Sequence, residues 1–284
     1  MRRVLGSLAI AVALLAPLKA LAWIDTGHMI VAAIANHELK PRVRAQIDDL
    51  LKIGGDARTS DLYGAACWAD DFKTHETAKW HYIDNYFRTD GKPAKGKPDA
   101  ENVIWAIRKF SAVLADPKQP AAERAEALRY ILHFVGDVHQ PLHAVSRGTD
   151  QMPNGDSGGN KFAIQPVEGV GMWHPCLHEL WDWACGYYEH VSRPLHPVER
   201  DQIDGYADQV MADFPESSMP ASQDLTPEDW MRESVQEAES FVYKGIEPGN
   251  EPSKTYLDQG KKVAEQRLAL AGYRLAGLLN KLLG

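Results

Sequence analysis

The sequence is poor in several features, and each shortage narrows the class of protein. Three cysteines in 284 residues are too few for a disulfide framework. Lys and Arg number 31 against 39 Asp and Glu, and the net charge of −8 leaves no basic surface of the kind typical of nucleic-acid binders. Internal repeats and long linkers are also missing. Any binding of phosphate groups would therefore need concentrated positive charge from another source, such as bound metal.

Long hydrophobic runs are absent beyond the first 22 residues. Those residues hold an arginine pair at positions 2 and 3, a mostly apolar run over 4–15, and the small residues Ala20 and Ala22 in an A-x-A arrangement. We predict that residues 1–22 are a signal peptide that is removed, giving a soluble protein without a membrane anchor, either periplasmic or secreted. Trp23 would become the N-terminus. Its free amine, with a pKa of about 7.7–8.0, can bind a metal near neutral pH.

Helical periodicity dominates the rest of the chain and predicts an all-α fold. We expect one domain over residues 23–284, with at most a short β-hairpin built on residues 161–167, and a monomer in solution. A helix should begin at Thr226 and Pro227, an N-cap residue followed by proline, and end at Gly245. The other predicted helices cover residues 28–39, 43–53, 62–72, 103–114, 121–138, 177–188 and 254–283.

The cysteine pattern predicts at most one disulfide. Cys176 and Cys185 lie nine residues apart in a predicted helix, which would separate them by roughly 13 Å. That separation is too large for a bridge. We therefore expect Cys67 to pair with one of these two, and the sequence leaves open which one.

Two His-x-x-x-Asp pairs are the first signs of a metal site. His133 with Asp137 and His178 with Asp182 each occupy positions i and i+4, which point the same way from a helix. One such pair is equally compatible with a surface ion pair. Two pairs within largely apolar helices favour cation ligands, because buried His and Asp need partners. His143 follows shortly after the first pair, beyond a proline that should end the helix.

Two upstream segments add Asp70, after Cys67-Trp68-Ala69, and His81, between Trp80 and Tyr82. Taken singly, Asp70 has an alternative interpretation as a capping or surface acid, and His81 as a core histidine. As a set, imidazoles and carboxylates without a cysteine cluster suit zinc in a hydrolytic rather than a structural role. We assign no metal to His139, for which a structural role is expected.

These segments resemble the S1/P1 nuclease family of zinc-dependent type I nucleases. The resemblance covers nearly the whole chain after residue 22, in residues 23–28, 67–70, 80–84, 133–143, 158–160, 177–182, 271–276 and 278–280. It implies a mainly helical fold with three zinc ions at the base of a cleft. By position, the first ion would be held by Asp70, His81, His133 and Asp137, the second by His143, His178 and Asp182, and the third by Trp23, His28 and the shared Asp137.

The resemblance also implies roles in the reaction and in substrate binding. Asp70 would accept a hydrogen bond from the attacking water, and Lys73 would steady the phosphate. Tyr82, where relatives often carry phenylalanine, would stack on a base, and Asp84 and Asn160 would hydrogen-bond its edge. Without the resemblance, these residues would be interpreted as a solvated lysine, a core tyrosine and two turn residues.

The expected activity is hydrolysis of single-stranded DNA and RNA to 5′-phosphate and 3′-hydroxyl ends, with 3′-mononucleotides as further substrates. Zinc phospholipase C, which has the same fold and metal set, is the first alternative. A non-catalytic zinc-binding protein is the second.

Overall fold

The structure is a computed structural model that describes residues 23–284; the predicted signal peptide lies outside the described residues. These residues form a mainly helical fold, which confirms the predicted fold class. The ten α-helices of the described range are α1 (Asp25–Glu38), α2 (Pro41–Leu51), α3 (Leu62–Ala65), α4 (Trp68–Asp71), α5 (Val103–Ala115), α6 (Ala121–His139), α7 (Leu177–Asp182), α8 (Pro197–Asp213), α9 (Pro227–Glu237) and α10 (Lys254–Leu283).

The core is formed where α6 and α10 pack against α1 and α5. Helix α1 is buried along most of its length and crosses α10 so closely that a Cβ on Gly272 would lie 2.4 Å from Ile34 Cγ2. On the other side, Phe110 of α5 stacks on Tyr130 of α6 with ring centroids 4.2 Å apart. Because α6 is packed on both sides, its side chains are held in fixed positions.

Two predicted helices are interrupted in the structure. The segment 62–72 divides into α3 and α4, and the break lets the carbonyl of Ala66 accept a hydrogen bond from His133 Nδ1 at 2.7 Å. The segment 177–188 ends its α-helix at Asp182, and Ala184 and Cys185 that follow have φ of 48° and 54°.

Helix α8 was not predicted. It buries only Ile203, Ala207 and Val210, a narrow stripe at helical spacing that is easily overlooked beside its polar residues. Proline and glutamate in its first turn were the available signals. The helix predicted from Thr226 runs as α9 and then continues as a π-helical turn over Ala238–Val242 before Gly245 with φ of 73°.

The β-structure of the described residues is small and differs from the expected hairpin. Strands β1 (Asn85–Phe87) and β2 (Val145–Arg147) pair in parallel, a geometry that a hairpin cannot produce. Residues 161–167 contribute only an isolated antiparallel bridge between Ala163 and Cys176. The β1–β2 pair follows the segments that contain His81 and His143, and it brings them side by side.

The predicted disulfide is wrong for this structure, in which Cys67, Cys176 and Cys185 are all buried free thiols. Each thiol lies in different surroundings. Cys67 contacts the carbonyl of Asp25 at 3.5 Å, and Cys176 accepts from the amide of Glu179 at 3.4 Å at the start of α7. Cys185 packs against α10, where a Cβ on Gly260 would lie 2.6 Å from its Sγ.

Within residues 23–284, no helix is long and apolar enough to cross a membrane.

Candidate metal centre and active site

Four side chains from three parts of the chain converge on one point. His81 Nδ1 lies 3.1 Å from His133 Nε2 and 3.0 Å from Asp137 Oδ2, and His133 Nε2 is 3.3 Å from that same oxygen. Asp70 completes the group, with carboxylate oxygens 3.6 Å from His81 and 3.7 Å from His133. Two imidazole nitrogens and two carboxylates around a common centre form a set of ligands suited to a divalent cation.

Asp137 faces two such clusters at once. Its Oδ2 points to His81 and His133, while its Oδ1 lies 3.4 Å from His28 Nε2 and has no hydrogen-bond partner among the described residues. Both ring nitrogens of His28 are likewise buried without a partner there. The His28 ring stacks on that of His133 with centroids 3.8 Å apart. A buried, unpaired oxygen facing a buried, unpaired nitrogen is costly unless a cation lies between them.

A third cluster combines His143, His178 and Asp182. His178 Nε2 is 3.6 Å from Asp182 Oδ2, and the His143 and His178 rings lie 5.0 Å apart. His143 is on the 3₁₀ turn Pro141–Ala144 that follows α6, as its position after a proline predicted. The second His-x-x-x-Asp pair therefore faces His143, which follows the first pair in the sequence.

Backbone carbonyls fix the orientation of three of these histidines. The Nδ1–H groups of His133, His143 and His178 donate to the carbonyls of Ala66, His81 and Gly158 at 2.7, 2.8 and 2.7 Å respectively. Since Nδ1 carries the proton, Nε2 keeps its lone pair for the cluster. Hydrogen bonds of this kind orient metal-binding histidines and increase their basicity.

Gln140 is a further member of the site that the sequence analysis missed. It is fully buried, its Nε2 donates to Asp182 Oδ1 at 2.7 Å, and its Oε1 accepts from the amide of Leu142. The Gln140 side chain thus holds Asp182 by its Oδ1, and the other oxygen, Oδ2, faces His178 in the cluster. The signal available was its position between Asp137 and His143, but nothing local indicated its distant partner.

Trp23 lies beside the centre. Its side chain is fully buried, and its indole N–H donates to the carbonyl of Gly136 at 3.1 Å. The next residue, Ile24, donates its amide to the carbonyl of Asp182 at 3.1 Å. Trp23 is therefore tied to the residue before Asp137 and, through its neighbour, to Asp182.

The protonation of the site is governed by burial and by opposite charges. Burial and the nearby His133 lower the pKa of His28 well below its usual range, which leaves a neutral ring with one nitrogen lone pair for a cation. Burial opposes charge on His133, but the carboxylates of Asp137 and Asp70 outweigh it and raise the pKa of His133 to about 9. The site therefore attracts positive charge. A cation would supply that charge in place of the proton, which fits the residues present.

A pocket of about 410 Å³ opens beside the clusters. All the predicted substrate-binding residues line it, together with Thr74 and His75, which were not predicted. Lys73 Nζ is 2.7 Å from Asp70 Oδ1, so the predicted phosphate-binding cation lies next to the first cluster. The lining residues predicted from the sequence are Lys73, His81, Tyr82, Asp84, His143, Asn160 and His178.

The two polar residues of the pocket differ in their surroundings. Burial and the nearby Asp156 and Asp99 raise the pKa of Asp84 to about 6. Asn160 donates from Nδ2 to the carbonyl of Ser157 at 2.8 Å, which orients its side chain. The pocket thus has an aromatic face at Tyr82, a carboxyl group and an oriented amide.

His139, to which no metal was assigned, has both ring nitrogens in use elsewhere. Its Nδ1–H donates to the carbonyl of Val135 at 2.7 Å, and its Nε2 accepts from Arg274 at 2.9 Å. It belongs to none of the three clusters that can hold a metal ion.

Adjoining clusters of His and Asp at the base of an open pocket, on a mainly helical fold, are typical of multinuclear metal-dependent hydrolases. Comparison with known sequences defines the class more closely. The sequence model of the family described as S1/P1 Nuclease matches residues 23–284. The chain therefore belongs to the S1/P1 nuclease family, whose members are metal-dependent phosphodiester hydrolases.

Three relatives illustrate the extent of the similarity. Endonuclease 2 of Arabidopsis thaliana is 27% identical over 282 residues, which span 92% of this chain and 91% of that protein. Nuclease P1 of Penicillium citrinum is 26% identical over 290 residues, 92% of this chain and 98% of that protein. Nuclease S1 of Aspergillus oryzae is 27% identical over 285 residues, 91% of each chain. These names support nucleic acid as the substrate class.

Proposed function

We propose that this protein is an exported, zinc-dependent endonuclease that cleaves single-stranded DNA and RNA to 5′-phosphate and 3′-hydroxyl ends. We further propose that it removes the 3′-phosphate from mononucleotides and that it acts as a monomer. The observation that carries the proposal is the shared carboxylate of Asp137, which faces two His/Asp clusters beside a pocket with an aromatic wall.

The residues present fit three zinc ions. The first would be held by Asp70, His81, His133 and Asp137, and the second by His143, His178 and Asp182. The third would be held by His28, Asp137 and the amine and carbonyl oxygen of Trp23. When bound, such ions lower the pKa of a water molecule and neutralise charge on the phosphoryl group.

The side chains around the clusters have separate roles in the proposed reaction. The Asp70 carboxylate orients the attacking water by accepting its hydrogen bond. Lys73 binds a phosphate oxygen and is already directed by Asp70, from which its Nζ is 2.7 Å away. These two groups supply one acceptor for the water and one positive charge for the phosphate.

Substrate choice would come from the pocket. Tyr82 offers an aromatic face on which any base can stack once it has left a duplex, and this favours single strands. Asp84 and Asn160 would hydrogen-bond the edge of that base. Tyr82 lines the pocket beside the clusters, and this position supports its assignment.

Export follows from the predicted signal peptide and is required by the third ion, because the amine of Trp23 is free only after cleavage. A phospholipase would use the same clusters, but it has no need for an aromatic residue beside two polar groups. A storage protein has no need for an open pocket next to the ligands.

The deciding experiment is mass spectrometry of the products formed from a short single-stranded oligonucleotide by the mature, zinc-loaded protein. Fragments with 5′-phosphate and 3′-hydroxyl ends, lost on chelation and restored by zinc, are expected. An intact oligonucleotide together with hydrolysis of phosphatidylcholine would instead establish the phospholipase. Full zinc occupancy with no turnover of either substrate would indicate storage.

A further inference from the structure

The loop 155–160 connects the metal clusters to the base pocket. Within the loop the carbonyl of Gly158 accepts from His178 Nδ1 at 2.7 Å, and Asn160 of the pocket follows two residues later, at the end of the loop. Its three glycines and Ser157 all have positive φ, between 58° and 84°. The glycines adopt this conformation readily, but it is uncommon for a residue with a side chain such as Ser157, so contacts are needed to hold the loop there.

The buried carboxylate of Asp156 supplies these contacts from inside the loop. Its Oδ1 accepts from the amides of Arg147 at 2.9 Å and Gly159 at 3.1 Å, and its Oδ2 accepts from the hydroxyl of Tyr243 at 2.8 Å. Asp156 is fully buried, and no lysine or arginine is paired with it by a salt bridge in the described part of the chain. The carboxylate is thus satisfied by three donors from three segments.

Tyr243 anchors this arrangement to the body of the protein. It is buried, and its ring meets those of Phe87 and Phe162 edge-on with centroids 5.4 and 6.0 Å away. The guanidinium of Arg147 lies over the same ring, 4.7 Å from its centroid. The hydroxyl therefore has little freedom and fixes the position of the carboxylate that it meets.

The loop tolerates little displacement at its contact with the metal cluster. A Cβ on Gly158 would lie 2.4 Å from the carbonyl oxygen of Leu142 and 3.3 Å from His178 Nδ1. A small movement of the loop would therefore change the hydrogen bond that orients His178. Asn160 would move with it, because its amide and its side chain both bond to the carbonyl of Ser157.

We propose that Asp156 and Tyr243 are positioning residues that hold His178 and Asn160 as one unit, so that the second metal site and the base pocket keep their geometry together. The inference rests on the proposed function for the role of Asn160. The expected effect on the metal cluster does not depend on the proposed function.

The test compares Asp156→Ala, Asp156→Asn and Tyr243→Phe in the zinc-loaded mature protein. For Asp156→Ala we expect the most labile zinc to be extracted by chelator about 10- to 100-fold more readily, the range typical of lost outer contacts. The KM for a single-stranded oligonucleotide should rise as well. Tyr243→Phe should change both quantities in the same direction by a smaller factor.

Asp156→Asn is the conservative rescue. Its amide oxygen can still accept from the two backbone amides, and its NH₂ can donate to the Tyr243 oxygen, so it should recover most of the zinc retention and the KM. A purely structural role would lower Tm without this joint change. The matched control is Tyr273→Phe, which removes another buried hydroxyl, bonded to the carbonyl of Phe214. It should change neither quantity.

Unchanged zinc retention and KM in both Asp156→Ala and Tyr243→Phe would overturn the proposal. If Asp156→Ala does not fold, Tyr243→Phe decides alone. If the wild-type protein cleaves no oligonucleotide, the proposed function has failed, and chelator extraction of zinc still decides whether Asp156 and Tyr243 position His178.

Discussion

Helix α6 has a buried polar cluster on each of two faces, and the two clusters differ in whether their polar atoms have hydrogen-bond partners. On one face, His133 and Asp137 meet His28 and His81, and several of the buried ligand atoms have no partner within residues 23–284. On the other face, His139 accepts from Arg274, and Arg274 donates to both oxygens of Glu233 at 2.6 and 2.7 Å. Burial alone therefore does not identify a functional site.

The difference lies in the match between donors and acceptors. The cluster around His139 pairs each positive group with a carboxylate or carbonyl: Arg267, for example, donates to the carbonyl of His139 at 3.1 Å and to Glu233 at 2.9 Å. The cluster around Asp137 consists mostly of acceptors directed at one another. Acceptors that face one another in a dry interior need a cation, whereas a matched network needs none.

Substitution of Asp137 by alanine should have the largest effect, because two clusters lose a ligand at once. We expect a loss of activity beyond the about 100-fold that outer-shell changes cause, and the loss of more than one zinc ion per chain. Metal analysis and initial rates on a single-stranded oligonucleotide measure both. Wild-type turnover in this variant would disprove the shared role of Asp137.

Extension of the mature chain by one residue before Trp23 should have the next largest effect. The amine would become a peptide nitrogen that cannot bind a cation, so one zinc and most of the activity should be lost. The control is the same protein after removal of the added residue by an aminopeptidase, which should restore both. Equal zinc content and rate with and without the extension would remove Trp23 from the site.

The cluster of His139, Arg274 and Glu233 should respond in the opposite way, with a change in stability rather than in zinc content. Arg274→Ala leaves the fully buried Nε2 of His139 without its donor, while the partly exposed Glu233 keeps Arg267 as a partner. The loss of a buried partner costs about 1–3 kcal/mol. Thermal unfolding should show a clearly lowered Tm, while the zinc content of the folded protein should stay unchanged. The exposed Arg232, changed to alanine, is the control and should have little effect on Tm. Loss of zinc in folded Arg274→Ala would mean that the two clusters are coupled.

Asp84 should show the smallest effect and a distinct pH dependence. Since burial and nearby carboxylates raise its pKa from 3.8 to about 6, the folded protein binds this proton more tightly than the unfolded chain. The free energy of unfolding of the wild type should therefore fall as the pH rises from about 4 to about 6, because the unfolded chain releases this proton first. Above that range the loss of stability stays constant. Asp84→Asn should therefore raise Tm by a few degrees above pH 6 and leave it unchanged below pH 4.

Thermal scans of both proteins across this pH range test the prediction, since all other titrating groups are common to the pair. A difference in Tm that does not vary with pH would contradict it. The same substitution should raise the KM for oligonucleotides if Asp84 hydrogen-bonds a base, which links this measurement to the proposed function.

Much of the fold could be predicted from local pattern. Helices α5, α6 and α10 begin and end within about two residues of their predicted limits, because periodicity and capping residues act over a few positions. Helix α8 was missed because its buried stripe is narrow. The β1–β2 pair was not predicted because it joins residues about 60 positions apart, as in Tyr86 with Ser146, and the hairpin expected at residues 161–167 is reduced to the bridge between Ala163 and Cys176.

For the centre itself, the sequence by itself determined which His and Asp side chains share a helix face, since i and i+4 spacing settles that locally. Only the tertiary structure decided that His81 meets His133 across 52 residues and that Asp137 faces two clusters. It also decided that a break after α3 frees the carbonyl of Ala66 for His133. The positions of Gln140 and Asp156 follow the same rule, because their partners come from other segments, and no local pattern encodes contacts that exist only once the helices have packed.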